Sequence, residues 1–321
     1  MITRVLTPHS NLKFPMKTQE KMIKTAQCLY VTPSRRRRKR IFGKQGNCGQ
    51  ARQDTPLKPL LKLIMRLPLI LCLLTTSIAT AAEDVGDPVI WMDAGSGIEA
   101  DGKAVISWQS RNGAYLASPP EDASGPEFLP DGIAGKPAIQ FGGSAYLSGP
   151  LNEELGEEAT FIAVVDITSG EESGNVGIMM LLYTCGLSVN QGRDSFYSMM
   201  TYWPMMLEKY GEEKALPVRG GILRAEKNIG FDGPSIVTVV CGAEKSTIYV
   251  NGSPVADVDL GMFTKPRKGE QLGLGANGGK GSKPMTGKIA EALLYNEALS
   301  PEKRTAVEKS LAAKYKVPLS H

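Results

Sequence analysis

The sequence predicts an all-β fold, an antiparallel sandwich or barrel, over residues 83–321 of this 321-residue chain. Short apolar runs rich in β-branched residues alternate with clusters of Gly, Pro, Asn and Asp. Helical periodicity is almost absent before the last twenty or so residues. An Asn-Gly pair also lies between two alternating runs, which is typical of a tight hairpin. These three observations together indicate many short antiparallel strands in one domain.

Each predicted strand is an apolar run bounded by turn residues. In chain order the runs cover 88–94, 104–109, 137–143, 160–169, 176–189, 235–242, 246–252, 271–276 and 288–299. Asn251 and Gly252 favour left-handed backbone, so we expect a two-residue hairpin turn there. Residues 194–228 are the least patterned and are predicted to be an irregular insertion.

One helix is predicted, at the carboxyl-terminal end of the chain. Ser300 is a suitable N-cap, Pro301 suits the first helical position, and Glu302 suits the first turn. The residues at helical spacing that form its apolar stripe are Ala306, Val307, Leu311 and Tyr315. A helix of this length is marginal alone, so we expect it to pack on the sandwich.

A secretory signal peptide is predicted at residues 65–82. Arg66 precedes the apolar stretch 67–78, and small residues follow it. That stretch is shorter than the roughly 20 residues that span a membrane, so we expect cleavage near Ala81 or Ala82 and no stable membrane span afterwards. The protein is therefore expected to be periplasmic, on the cell surface or extracellular.

The stretch before this signal is basic and lacks sustained apolar periodicity. Met65 is the expected start of the native protein, which makes residues 1–64 a disordered or untranslated leader. The alternative is that the basic run 35–40 is a localisation or nucleic-acid patch.

The overall charge of +4 comes from this leader. Residues 1–82 hold 16 of the 37 basic residues and two of the 33 acidic ones, so residues 83–321 carry a net charge of −10. Because an acidic surface repels phosphate backbones, the sequence disfavours nucleic acid as a partner of the folded part.

Cysteine and histidine usage limits the chemistry of the exported part. Only Cys185 and Cys241 follow the signal, and in an oxidising compartment they either form a disulfide or remain two buried thiols. The only histidines are His9 and His321. Histidine-based nucleophilic catalysis and histidine-ligated metal sites are therefore excluded by the sequence.

Carboxylates remain as candidate functional groups. Asp257 and Asp259 alternate on one predicted strand, as a glycosidase pair could, although a solvated strand face is the preferred interpretation. A group of four acidic residues before the run 160–169 is a candidate calcium site or an exposed acidic loop. These residues are Glu153, Glu154, Glu157 and Glu158.

Aromatic residues are the candidate sugar-binding groups, because sugar rings stack on exposed aromatic faces. Trp91 and Trp108 lie in strand-like runs and are predicted to pack in the core. Tyr202 and Trp203 lie in the irregular insertion, which is either a flap that covers the core, the favoured interpretation, or a recognition loop. We predict stacking by Tyr202 and Trp203 and hydrogen bonding by Arg193 and Asp194.

Several blocks resemble the bacterial laminin G-like jelly-roll domains of the concanavalin A-like lectin/glucanase superfamily. They are Trp91–Ala94, Val105–Gly113, Gly135–Leu147, Leu274–Asn277, Gly287–Glu291, Leu294–Asn296 and the terminal helix. The resemblance implies two packed antiparallel sheets, binding of carbohydrate or protein, and in some members calcium. The acidic E-x-D-x-x-E strand of the glucanases is missing.

The sequence therefore predicts an exported, non-catalytic module that binds a polysaccharide or a surface glycoprotein. One alternative is a divergent polysaccharide hydrolase or lyase that uses carboxylates or Tyr and Arg. Another is an adhesion or structural protein of the cell envelope. Fold alone does not choose among these.

Overall fold

The computed structural model describes residues 86–320, apart from residues 122, 169–174, 182–185, 192–194, 200–202, 216–221, 227, 264, 267 and 277–283. Two antiparallel β-sheets pack face to face within this part of the chain. The predicted two-sheet sandwich is confirmed, with a packed carboxyl-terminal helix and one additional helix.

The strands and helices follow one another along the chain with short connections. The strands are β1 (Ile90–Asp93), β2 (Ile98–Asp101), β3 (Ala104–Gln109), β4 (Leu116–Ala117), β5 (Glu127–Ile133), β6 (Lys136–Gly142), β7 (Leu147–Pro150), β8 (Ala159–Ile167), β9 (Asn175–Leu181), β10 (Gly186–Asn190), β11 (Ser195–Met199), β12 (Ile222–Arg224), β13 (Ser235–Cys241), β14 (Ser246–Val250), β15 (Ser253–Val258), β16 (Gln271–Leu274) and β17 (Thr286–Tyr295). The helices are α1 (Trp203–Ala215), between β11 and β12, and α2 (Pro301–Tyr315), after β17.

The larger sheet has eleven strands among the described residues. Its order is β15-β14-β13-β8-β17-β6-β5-β3-β2, with β1 beside β17 and β4 beside β3. The smaller sheet has six described strands in the order β12-β11-β10-β9-β16-β7. Neighbouring strands are antiparallel throughout, so the two sheets form a sandwich of the kind that the alternating runs predict.

The main core fills the space between the two sheets. Trp108, Phe141, Phe161 and Phe196 are completely buried there. Burial of each such aromatic side chain contributes roughly 1.5–3 kcal/mol relative to exposure. The prediction that Trp108 packs in the core is confirmed, whereas Trp91 is only partly buried and lies on the outer side of the larger sheet.

A second apolar cluster lies on the outer face of the larger sheet, beneath α2. Ile162, Val164 and Leu293 of the sheet pack there with Val307 and Leu311 of the helix. Nearly every residue of β8 is therefore buried, because the smaller sheet covers one of its faces and α2 covers the other.

The signals at the start of α2 are confirmed. The Ser300 side chain accepts a hydrogen bond from the Lys303 amide at 3.3 Å. The prediction that Ala306 belongs to the apolar stripe is wrong, because Ala306 is exposed. Ala312 is buried instead. Neighbouring helical positions are rotated by about 100°, so Ala306 faces away when Val307 faces the sheet.

The predicted hairpin at Asn251 and Gly252 is also confirmed. Both residues have left-handed backbone, with φ values of 50° and 86°, and they join β14 to β15. The single long strand predicted over 176–189 is wrong, because β9 and β10 form an antiparallel pair there.

The insertion over 194–228 contains regular structure that the sequence did not predict. It supplies β11, α1 and β12, and α1 is kinked at Gly211, where φ is 78°. Leu207, Tyr210 and Ala215 of α1 pack against the main core. This packing favours the interpretation of the insertion as a covering segment. Among the described residues, no helix is long and apolar enough to cross a membrane.

Candidate functional site

The four predicted ligand-binding residues flank one strand of the smaller sheet. Arg193 and Asp194 precede β11 and Tyr202 follows it, and all three lie outside the described residues. Trp203 is the first residue of α1, and its side chain is also outside the description. The side chains of all four residues therefore lie outside the part of the chain that the structure describes. Their binding roles stay predictions.

The outer faces of the two sheets differ in chemistry. Leu187 and Val189 point into the main core, so Ser188 and Asn190, which alternate with them, point outward from the smaller sheet. The strand register extends this alternation to the neighbouring strands. We call the resulting surface the polar sheet face. Its described members are Ser148, Pro150, Gly177, Met180, Gly186, Ser188, Asn190, Ser195, Ile222, Arg224, Gln271 and Gly273.

The centre of the polar sheet face is closed and its edges are open. Ser188 is 0% exposed, Ser195 2% and Asn190 6%. Arg224, on the edge strand β12, is exposed, and Gln271 on the other side of the face is half-buried. A ligand from solvent would therefore meet the edges first and reach the buried hydroxyl and amide groups only after a local opening.

Two glycines make room for a methionine across this face. An ideal Cβ on Gly177 would lie 2.5 Å from Met180 Cγ, and one on Gly186 would lie 2.7 Å from Met180 Sδ. The Met180 side chain therefore lies over both glycines, and it is 1% exposed. A flexible thioether adapts well to such an irregular space.

Gln191 ties three chain segments together at one end of the polar sheet face. Its side-chain amide donates to the carbonyl oxygens of Thr168 and Thr286, and its Oε1 accepts from the Thr286 amide at 2.9 Å. These bonds join the end of β10 to the end of β8 and the start of β17. A buried side chain therefore holds these three chain segments together at this end of the polar sheet face.

A charged cluster lies on the opposite side of the molecule, where α2 meets the larger sheet. Asp93 of β1 and Glu291 of β17 are directly opposite each other in the sheet. Lys314 of α2 is 3.1 Å from Asp93 Oδ2 and also contacts Glu291 Oε1. Tyr315 donates to Glu291 Oε1 at 2.9 Å and Trp91 donates to Glu291 Oε2 at 3.0 Å. We call this cluster the helix-docking network.

Arg111 completes the helix-docking network at its exposed side. It lies 3.3 Å from Asp93 Oδ2, and its guanidinium stands 3.9 Å from the centre of the Trp91 ring. Asp93 also accepts from the Gly95 amide at 2.8 Å. Both carboxylates are thus engaged by cations and hydrogen-bond donors, as buried acids must be.

The chemistry of Glu291 is that of a structural acid. Burial is the main cause that raises the pKa of the Glu291 carboxyl above its usual value of 4.5, and the nearby charge of Asp93 raises this pKa further. The ammonium group of Lys314 and the hydrogen bond from Trp91 act in the opposite direction and lower it. The two carboxylates do not face an open cleft, because α2 covers them. The arrangement therefore docks the helix and does not resemble the separated acid pair of a glycosidase.

The other carboxylates singled out by the sequence lie on the surface. Asp257 forms an ion pair with Lys245 at 2.5 Å, with both side chains about half exposed. Asp259 is exposed as well, which agrees with a solvated strand face. Lys265 lies 3.3 Å from Glu154. No group of three or more His, Cys, Asp or Glu side chains in the described part of the chain is arranged to hold a metal ion.

The disulfide prediction stays open. Cys241 ends β13 and is completely buried. Cys185 lies outside the described residues.

Comparison with known proteins supports the resemblance found in the sequence. Residues 235–303, from β13 to the first turn of α2, match a laminin G-type family model described as the concanavalin A-like lectin/glucanases superfamily. The resemblance is confirmed over that range. No curated protein matches the chain.

Solved structures with a similar fold have low sequence identity. Trypanosoma rangeli sialidase in complex with sialic acid is 14% identical, with a TM-score of 0.46 over 70% of this chain and 33% of the sialidase. The botulinum neurotoxin serotype D binding domain is 10% identical, with a TM-score of 0.46 over 71% of this chain and 51% of that domain. The chain thus spans a third to a half of the length of these proteins, and neither likeness is strong enough to indicate a shared activity.

Proposed function

We propose that this chain is an exported, non-catalytic binding domain that recognises carbohydrate, either as a polysaccharide or on a surface glycoprotein, through the polar sheet face. The observation that carries the proposal is the contrast between the two outer faces. The larger sheet buries an apolar cluster beneath α2. The smaller sheet instead carries hydroxyl, amide and guanidinium groups among glycines.

The chemistry of the polar sheet face suits a ligand rich in hydroxyl groups. Serine, asparagine and glutamine side chains both donate and accept hydrogen bonds, and arginine donates from a planar group. Arg224 is the one charged residue among its described members. Such a surface recognises sugar hydroxyls without requiring a charged ligand. The match of residues 235–303 to the lectin/glucanases superfamily supports the same class of ligand.

A glycan and polysaccharide array provides the first test. The chain beginning at Glu83 is applied with calcium and again with a chelator, which also tests whether binding requires calcium. Arg224→Ala and Trp203→Ala are measured beside the unchanged protein. We expect glycan binding that Arg224→Ala weakens about tenfold or more, because a hydrogen bond to a charged group contributes roughly 1.5–3 kcal/mol.

Lys103→Ala is the matched control. Lys103 lies in the turn between β2 and β3 of the larger sheet, its side chain is 79% exposed, and it forms a surface ion pair with Glu127. Its loss should leave glycan binding unchanged. Absence of binding to every glycan would contradict the proposal and favour protein adhesion. Equal losses of glycan binding in Arg224→Ala and Lys103→Ala would contradict it in the same way.

A further inference from the structure

The turn between β14 and β15 contains one of the three Asn-Gly pairs of the chain. Such a pair is chemically labile, because glycine has no side chain to hinder attack by its backbone nitrogen on the asparagine amide. The three pairs begin at Asn112, Asn251 and Asn277, and the last of these lies outside the described residues. Asn251 is half-buried, whereas Asn112 is exposed.

The reaction of an Asn-Gly pair is an intramolecular deamidation. The glycine nitrogen loses its proton to solvent base and attacks the asparagine Cγ. A nitrogen–Cγ bond forms, the Cγ–Nδ2 bond breaks, and Nδ2 leaves as ammonia. Water then opens the resulting cyclic imide at one of its two carbonyl carbons, which yields aspartate or isoaspartate. One water molecule is consumed for each ammonia released, so the reaction requires no oxidant and no cofactor.

Two long-range hydrogen bonds hold the reacting groups of the Asn251-Gly252 pair. The Ile236 amide on β13 donates to Asn251 Oδ1 at 2.8 Å, which fixes the side-chain amide that would be attacked. The Ser320 amide donates to the Asn251 main-chain oxygen at 2.9 Å. That oxygen and the attacking Gly252 nitrogen belong to one planar peptide group, so the bond from Ser320 also fixes the nucleophile. Ring closure requires this peptide group to rotate, which breaks the bond.

Ser320 reaches this turn because the chain folds back after α2. We call residues 316–320 the tail. Lys316 has left-handed backbone, with a φ of 55°, and ends the helix. Val317 is 5% exposed and belongs to the apolar cluster beneath α2. Ser320 is exposed, whereas Ile236 lies on a strand inside the larger sheet. The bond from Ser320 should therefore open more often than the bond from Ile236.

We propose that Asn251 is a deamidation site that the tail keeps unreactive while it is docked on the turn. Release of the tail frees the peptide group between Asn251 and Gly252 to rotate, and the ring then closes. Isoaspartate inserts an extra carbon into the main chain, so the two-residue turn cannot regain its register. The modification would thus mark molecules whose tail has been released. This chemistry is independent of what the polar sheet face binds.

Asn112 provides a comparison within the same chain, because its bonds involve other segments. Its Nδ2 donates to the main-chain oxygens of Pro88 and Val89 at 3.1 and 3.0 Å. The Gly113 nitrogen, which would be the nucleophile there, donates to the Ser110 oxygen at 2.9 Å. The protection of Asn112 should therefore not depend on the tail.

Peptide mass spectrometry of protein held in mildly alkaline buffer, folded and in urea, measures the rate of deamidation at each asparagine. We expect Asn251 to react roughly tenfold or more slowly in the folded protein, which corresponds to an opening that costs about 1.4 kcal/mol or more. Ser320→Pro removes the N–H that bonds Asn251. It should speed the reaction of Asn251 in the folded protein about fivefold, the equivalent of the roughly 1 kcal/mol of one hydrogen bond. Asn112 should keep its rate.

Ser320→Ala is the matched control, because it keeps the N–H and removes only the hydroxyl. Asn251 should react in this variant as slowly as in the unchanged protein. Equal rates at Asn251 in the folded and the unfolded protein, or no reaction in either, would overturn the proposal. Equal rates in Ser320→Pro and Ser320→Ala would overturn the role of the tail. So would equal acceleration of Asn112 and Asn251 in Ser320→Pro, since that would reflect a loss of global stability.

Discussion

Replacement of Lys314 by methionine tests the helix-docking network. The change removes the ammonium group between Asp93 and Glu291 while it keeps most of the apolar stem. Loss of one partner from a buried ion pair destabilises a protein by about 3–5 kcal/mol. Lys314 is 19% exposed, so solvent screens part of that loss. We expect the free energy of unfolding to fall by about 2–3 kcal/mol at neutral pH.

The pH dependence gives this prediction its specificity. Burial raises the pKa of Glu291, and removal of Lys314 should raise it further. A carboxyl group with a higher pKa in the folded than in the unfolded chain costs stability as pH rises from the unfolded pKa towards the folded pKa. The difference between Lys314→Met and the unchanged protein should therefore be largest near neutral pH and shrink as pH falls towards about 4.5.

Urea unfolding monitored by circular dichroism at about pH 5 and about pH 7.5 measures this difference. The addition of Glu291→Gln to Lys314→Met should recover stability at the higher pH, because no buried charge is left without its cation. Lys309→Met, an exposed position on the same helix, is the control and should have little effect. A loss of equal size at both pH values, or no recovery with Glu291→Gln, would refute the argument.

Two other substitutions probe the sandwich. Tyr115 is buried and donates to the Leu272 carbonyl oxygen at 2.6 Å, so Tyr115→Phe should lower the free energy of unfolding by about 1–2 kcal/mol in denaturant titrations. Burial raises the pKa of Tyr115, so the unchanged protein should lose stability as pH rises above the unfolded pKa of 10, with a smaller alkaline loss in Tyr115→Phe. Gly177→Ala should lower the melting temperature by several degrees, because its Cβ would meet Met180 and a backbone oxygen of the adjoining segment at 2.4–2.5 Å. Gly142→Ala, with no atom within 4 Å, should change it little, and equal effects would contradict the packing argument.

Local signals in the sequence predicted those elements whose geometry depends on adjacent residues. The Asn251-Gly252 turn needs two left-handed residues, and the start of α2 needs a hydroxyl before a proline. The sequence contains both of these signals, and the structure has the turn and the helix start that they predict. The burial of Trp108 was predictable for a similar reason, because it lies within an apolar run.

Other elements could not be predicted because no local pattern marks them. The run over 176–189 is apolar throughout, so periodicity does not show that the chain reverses between β9 and β10. The short strand β12 lies in the unpatterned insertion and depends on pairing with β11. The sequence did not mark Arg224, the exposed cation of the polar sheet face, as a candidate for that reason.

The sequence by itself determined the all-β class, the hairpin, the capped terminal helix and the resemblance to lectin-like domains, because short-range chemistry carries each of these. Only the tertiary structure decided which sheet face the terminal helix packs against and which face carries the polar side chains. Glu291 meets Trp91 and Tyr315 across long stretches of chain, and Ser188 comes into line with Gly177 and Arg224 through strand register. Register and helix docking are set by packing between distant segments, which no run of adjacent residues encodes.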